Sequence, residues 1–203
     1  MDLIVATENK HKLSELREIL PVHRVLSPQD LRVSYSHEET GTSFLSNALG
    51  KAMSLHSAII AAGRTPAPPI LADDSGICVD ALGGRPGVYT ARYGSTPEKP
   101  RLEAAERNSY LLGELEGVRD RGAHYVCCMV LYLGKDKFYV AQETWEGEIA
   151  RQASTGSGGF GYDPVFLIPE LGKTAADIDA EQKHKLSHRG KATRAVANLI
   201  ASL

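Results

Sequence analysis

The chain has 203 residues, a formal net charge of −2, 42% hydrophobic and 24% charged residues, the balance of a globular protein large enough for one α/β domain or two small lobes. That charge supplies no basic field to recruit nucleic acid or an anionic membrane, and no apolar run reaches the roughly 20 residues of a spanning helix. Its three cysteines, Cys78, Cys127 and Cys128, lack metal-ligand spacing and read as reduced, buried thiols of a cytoplasmic protein.

The first residues have no signal-peptide shape and read as a strand over 3–6. A polar turn, Thr7-Glu8-Asn9-Lys10-His11-Lys12, follows, and Leu13, Leu16, Ile19 and Leu20 then recur at helical spacing until Pro21. A second strand is expected over 22–26. After the polar stretch 34–42, Phe44, Ala48, Ala52, Leu55 and Ile59 mark one face of a long helix over 43–62, which Gly63 stops. A stiff proline-rich loop leads to a strand over 70–72 that should end at the paired aspartates, Asp73 and Asp74, with extended chain resuming over 77–81. A helix is expected over 98–115, and an antiparallel pair over 125–133 and 138–145 joined at 134–137. A glycine-rich loop over 154–163, a short strand over 165–168, a charged stretch over 181–185 and a last helix over 189–203 complete the chain. Strands and helices mix without strict alternation, so the sheet should be mixed rather than purely parallel.

Five stretches could carry chemistry. The turn 7–12 closes a strand and opens a helix, so its backbone N–H groups, with Lys10 and Lys12, suit phosphate oxygens; the bland alternative is Asn9 as an N-cap and solvated lysines. Asp73 and Asp74 are strand neighbours whose side chains should point to opposite faces, one bracing the chain and the other meeting substrate or metal. A hard divalent cation takes one or two carboxylates plus water and phosphate, a number that Glu39 and Asp74 supply. Gly156-Ser157-Gly158-Gly159-Phe160-Gly161-Tyr162-Asp163 sets glycines around two aromatics, which lets backbone approach a flat ring that an aromatic stacks on. Lys183 and the Ser187-His188-Arg189 run put donors and cations at a helix start, where the dipole does not favour them.

Together "ATENKHK", "EETGTSFLSNALGKA", "LADDSGICVDALGGRPGVYTARY", "GGFGYDPVF" and "KLSHRGKA", in this order from Leu3 to the last helix, resemble the inosine triphosphate pyrophosphatase family. The resemblance implies an α/β fold with an elongated mixed sheet, flanking helices and two lobes around a nucleotide-binding cleft, residues 1–203 forming one such domain, and a homodimer. It implies Mg²⁺-dependent cleavage (Mn²⁺ being the alternative ion) of ITP, dITP and XTP to monophosphate and pyrophosphate. Site residues carry over as follows. Thr7, Glu8, Asn9, Lys10, His11 and Lys12 would hold the triphosphate, joined by Lys51. Glu39 and Asp74 would hold the metal. Asp74 would be the general base and Ser75 would bind nucleotide. Phe160, Gly161, Tyr162 and Asp163 would form the base-pocket loop, and Lys183, His188 and Arg189 the remaining base and ribose contacts. Two positions depart from the pattern: Glu8 stands where many relatives have Gly, and Ser46 where many have Glu. A pyrophosphatase of broader specificity and a non-catalytic nucleotide-binding module are the rival readings; the second has no need of Glu39 and Asp74 together.

Overall fold

The computed structural model describes residues 1–202. Its elements in chain order are β1 (Asp2–Val5), α1 (Lys10–Ile19), β2 (Arg24–Leu26), α2 (Phe44–Ala61), β3 (Ile70–Val79), α3 (Ala104–Glu114), β4 (Gly122–Tyr132), β5 (Phe138–Ile149), β6 (Phe166–Ile168), β7 (Lys173–Thr174), α4 (Ala180–Leu186) and α5 (His188–Ala201). The seven strands form one sheet in the order β2-β1-β3-β4-β5-β6-β7. β1 pairs in parallel with β2 and β3, whereas β6 is antiparallel to β5 and β7, so the sheet is mixed as expected.

The chain divides into two compact units. The first comprises Met1–Asp74, Cys127–Glu143 and the stretch from Arg189; the second comprises Ser75–Val126 and Thr144–His188. In the first unit, the two-residue period of the strands sorts side chains onto two faces. Leu3, Val5 and Leu71 join Leu16 on α1, Leu20 just after it, and Ala192, Val196 and Ile200 on α5. Ile4, Ala6, Ile70 and Ala72 join Ala48, Ala52, Leu55 and Ile59 of α2. The central strands are thus covered on both faces, which is why β1 and the start of β3 read as unbroken apolar runs. In the second unit Leu111 and Leu115, on and just after α3, pack with Ile77, Val79, Tyr125, Trp145 and Phe166.

Two expectations are corrected. β3 does not stop at the aspartates but runs unbroken through Asp73 and Asp74 to Val79, because both carboxylates find buried partners and need no turn to reach water. α3 starts at Ala104, where Glu103 and Glu106 close a capping box, not at 98. The charged stretch near 181 is a helix, α4, capped by the Asp179 side chain accepting from the Gln182 N–H.

Leu55 is fully buried against β1 and β3. Leu55→Ala should lower the unfolding free energy by about 2–5 kcal/mol, measured by urea denaturation; a cost below about 1 kcal/mol would contradict this packing.

Candidate active site

The period of two along β3 decides the site. Asp73 follows the parity of Leu71 and falls on the α1/α5 face; Asp74 follows Ile70 and Ala72 onto the α2 face. On its face Asp73, 2% exposed, meets Lys12 Nζ at 2.8 Å and Arg189 Nε at 3.6 Å. Arg189 in turn donates from Nη1 to Glu15 Oε2 at 2.6 Å. Asp74 accepts from Asn47 Nδ2 at 2.8 Å, and its Oδ1 lies 3.8 Å from Lys51 Nζ. Lys51 Nζ also donates to Glu39 Oε1 and to the Asp73 carbonyl oxygen, each at 2.6 Å. Lys51 and Asn47, one helical turn apart on α2, are buried in an otherwise apolar face.

These surroundings push the two neighbouring carboxyls in opposite directions. Burial alone would raise both. For Asp73 the charges of Lys12, Arg189 and Lys51 outweigh burial and hold it well below the ordinary carboxylate value. For Asp74 burial prevails over Lys51 and Asn47, with Glu39 adding repulsion, and its affinity for a proton is raised. Glu39, where Lys51 outweighs burial, is lowered. Two adjacent carboxyls with separated proton affinities are the usual sign of divided roles, one a fixed anion and the other a proton acceptor.

The turn after β1 is built by its helix. Asn9 caps α1, its Oδ1 accepting from the His11 and Lys12 N–H groups at 2.9 and 3.2 Å, and Thr7 Oγ1 accepts from the Asn9 N–H at 3.1 Å. Glu8, Asn9, Lys10 and His11 are exposed; Lys12 reaches inward to Asp73. Of the two departures, Ser46 is exposed and spent in a capping box with Ser43 at the start of α2, and Glu8 is a solvent-facing side chain. Glu39 and Asp74 are the pair that could hold a hard cation: with the Asp73 carbonyl they already turn oxygens toward one ammonium group, that of Lys51. Among the described residues no group of three or more His, Cys, Asp or Glu side chains could hold a metal ion.

In the second unit the glycine-rich loop is pinned rather than loose. Asp163, buried, accepts from the Phe160 N–H at 2.6 Å, from Lys183 Nζ at 2.8 Å and from Tyr125 Oη at 3.3 Å. Lys183 Nζ stands 5.1 Å from the centre of the Phe160 ring, a cation–π contact. Tyr162 is not free to stack on a ligand; it is 2% exposed in the core and donates to the Thr90 carbonyl. At Gly156 a Cβ would lie 2.4 Å from the Ala176 carbonyl oxygen, so only glycine lets the loop lie there. A cavity of about 360 Å³ borders this loop and is lined also by Asn108 and Leu112 of α3, Asn108 donating from Nδ2 to the Gly161 carbonyl at 3.1 Å. His188 is buried and stacks on Tyr125 with ring centres 4.6 Å apart. Ser75, half-buried, follows Asp74 on β3. The structure thus gathers Lys12, Glu39, Lys51, Asp73, Asp74 and Arg189 in the first unit, and Phe160, Asp163, Lys183 and His188 in the second. Sequence reasoning missed Asn47, Glu15 and Tyr125. For Asn47 the signal was present: with Lys51 it puts two polar residues at i, i+4 spacing among the apolar positions of α2.

Asp73→Asn takes the shared anion from the largely buried Lys12 and from Arg189, which keeps Glu15, and should cost about 3 kcal/mol at neutral pH. Because its carboxyl is lowered on folding, Asp73 stabilises above the unfolded value near 3.8 and loses that contribution as pH falls below it; the gap between wild type and variant should therefore narrow in acid. Asp74 has the opposite sign: its raised proton affinity on folding costs stability above the unfolded value, so Asp74→Asn should raise the melting temperature at pH 7. Thermal unfolding across pH 3–7 checks both; a stabilising Asp73→Asn or a destabilising Asp74→Asn would contradict the assignment.

Comparison with known proteins places the chain in a family. Residues 3–199 match the model of the Ham1 family. The dITP/XTP pyrophosphatase of Treponema denticola is 44% identical over 200 residues, covering 98% of each chain. That of Ralstonia nicotianae is 44% identical over 204 residues, 99% of this chain and 96% of the relative. A HAM1 protein from Coxiella burnetii superposes over the full length of both chains with a TM-score of 0.84 at 32% identity. With the family model spanning nearly its whole length and relatives of matching length, the chain belongs to the Ham1 family.

Proposed function

We propose that the protein hydrolyses non-standard purine nucleoside triphosphates (ITP, dITP and XTP) to the monophosphate and pyrophosphate, and so clears them from the nucleotide pool. The observation that carries this reading is the pairing of a fixed anion, Asp73, with a proton acceptor, Asp74, beside Glu39, Lys12 and Lys51; full-length relatives named dITP/XTP pyrophosphatase support the substrate class.

On this reading the α1 turn and Lys12 bind phosphate oxygens, and Lys51 joins them when the substrate draws it from Glu39. Glu39 and Asp74 would hold Mg²⁺ or Mn²⁺, which supplies charge neutralisation on the phosphates when bound. Asp74 orients a water toward the α-phosphorus and takes its proton; the electron pair of the broken P–O bond leaves with pyrophosphate. Hydrolysis of this kind is mostly positioning and charge stabilisation, so no covalent nucleophile is required. Asp73 never titrates at working pH; it holds Lys12 and Arg189 in place. The base lies against the Phe160 to Asp163 loop, where Lys183, His188 and backbone N–H groups present donors to the 6-oxygen. Adenine offers an amino group at that position, which sets donor against donor and can be rejected by orders of magnitude. The proposal includes a homodimer, which sedimentation of the purified protein tests.

Asp74→Asn should lower ITP turnover by about 10²–10⁴-fold while nucleotide binding persists, with IMP and pyrophosphate as the wild-type products; release of IDP and phosphate would refute the reaction. Arg189 is a member of the Asp73 cluster and a proposed reader of the base. Arg189→Lys keeps a cation and removes the planar fork, and should cut the ITP-to-ATP preference at least tenfold. An unchanged ratio would confine Arg189 to the Asp73 cluster.

A further inference from the structure

One side chain uses both ends of its amide to tie the two proposed metal carboxylates to the same helix. Asn47, 1% exposed near the start of α2, donates from Nδ2 to Asp74 Oδ2 at 2.8 Å and accepts at Oδ1 from the Gly41 N–H at 2.8 Å. Gly41 ends the segment Glu38-Glu39-Thr40-Gly41, so the second bond anchors the loop that carries Glu39. The first bond takes Oδ2 of Asp74 and leaves Oδ1 as the oxygen on the side of Lys51 Nζ, whose other carboxylate partner is Glu39. Both amide functions of Asn47 are therefore consumed, and neither bond is available to a residue lacking a donor and an acceptor a short reach from the backbone.

The loop has been shaped to accept this latch. A Cβ at Gly41 would lie 2.5 Å from Asn47 Oδ1 and 2.2 Å from Ser46 Oγ, so any larger residue there pushes the loop off the amide. Ser46, the position without the expected carboxylate, holds the first turn of α2 through its reciprocal bonds with Ser43, which fixes the helix start from which Asn47 projects.

We propose that Asn47 is a positioning residue that sets the Glu39 and Asp74 carboxylates in a cation-ready arrangement before any ion arrives, through one amide shared by the β3 strand and the Glu39 loop. This rests on the reading of Glu39 and Asp74 as the metal pair. Outer partners that orient ligating carboxylates typically contribute 10–100-fold in metal affinity.

The test uses the full chain without nucleotide. Mn²⁺ affinity is read by the loss of the free-ion EPR signal, and exchange of the Gly41 amide proton by NMR. Asn47→Ala should weaken Mn²⁺ binding about tenfold or more and speed Gly41 exchange. Unchanged amide exchange in the β3 strand and the α2 interior of Asn47→Ala shows that the fold is intact. Glu39→Gln separates the two claims. If Glu39→Gln weakens Mn²⁺ binding and Asn47→Ala does not, the positioning role is overturned. If Glu39→Gln leaves Mn²⁺ binding unchanged, the metal pair itself is refuted. Gly41 exchange as slow in Asn47→Ala as in wild type would overturn the latch.

Discussion

Consecutive side chains of a β-strand point to opposite faces, and at Asp73-Asp74 this constraint does chemical work. A turn at this point would have let both carboxylates face the same water. An unbroken β3 instead delivers one to the α1/α5 face and the other to the α2 face. Each face then treats its carboxylate differently. Two cations close on Asp73 and keep it ionised in a place where an unpaired charge would be very costly. Asp74 meets a more distant Lys51 and a neutral amide, and burial wins. Neighbours one residue apart thus acquire distinct roles without any special local sequence; the helices on either side of the sheet make the difference.

Lys51 links the two faces. Its ammonium donates to Glu39 and to the carbonyl oxygen of Asp73 and approaches Asp74. The second unit solves a different problem with similar means. There a buried Asp163 gathers the Phe160 N–H, Lys183 and Tyr125, and so makes a fixed wall out of a glycine-rich segment. Glycine in that loop serves close approach to neighbouring backbone, as at Gly156, more than flexibility.

Much of this was legible from residues alone. The apolar runs of β1 and β3, the periodicity of α2 and the mixed character of the sheet follow from local pattern. The opposite orientation of the aspartates follows from strand geometry once a strand is granted. The expected break after Ala72 was wrong because sequence shows two carboxylates and not the lysine and arginine, 61 residues back and 116 residues ahead of Asp73, that neutralise one of them. Tyr162 looked like a stacking ring and is a core residue; an aromatic beside glycines does not say which way it faces. Asn47 lay inside a quoted motif, yet its two partners come from a loop and a strand, and only the fold brings them within reach. Long-range partnership was the missing information in each case.

The fold separates the proton affinities of Asp73 and Asp74. Carboxyl ¹³C NMR titration of the two side chains in the ligand-free protein measures this directly. Asp74 should titrate above the ordinary aspartate value and Asp73 well below it. Coincident titration of the two, or the reverse order, would contradict the division of labour on which the site depends.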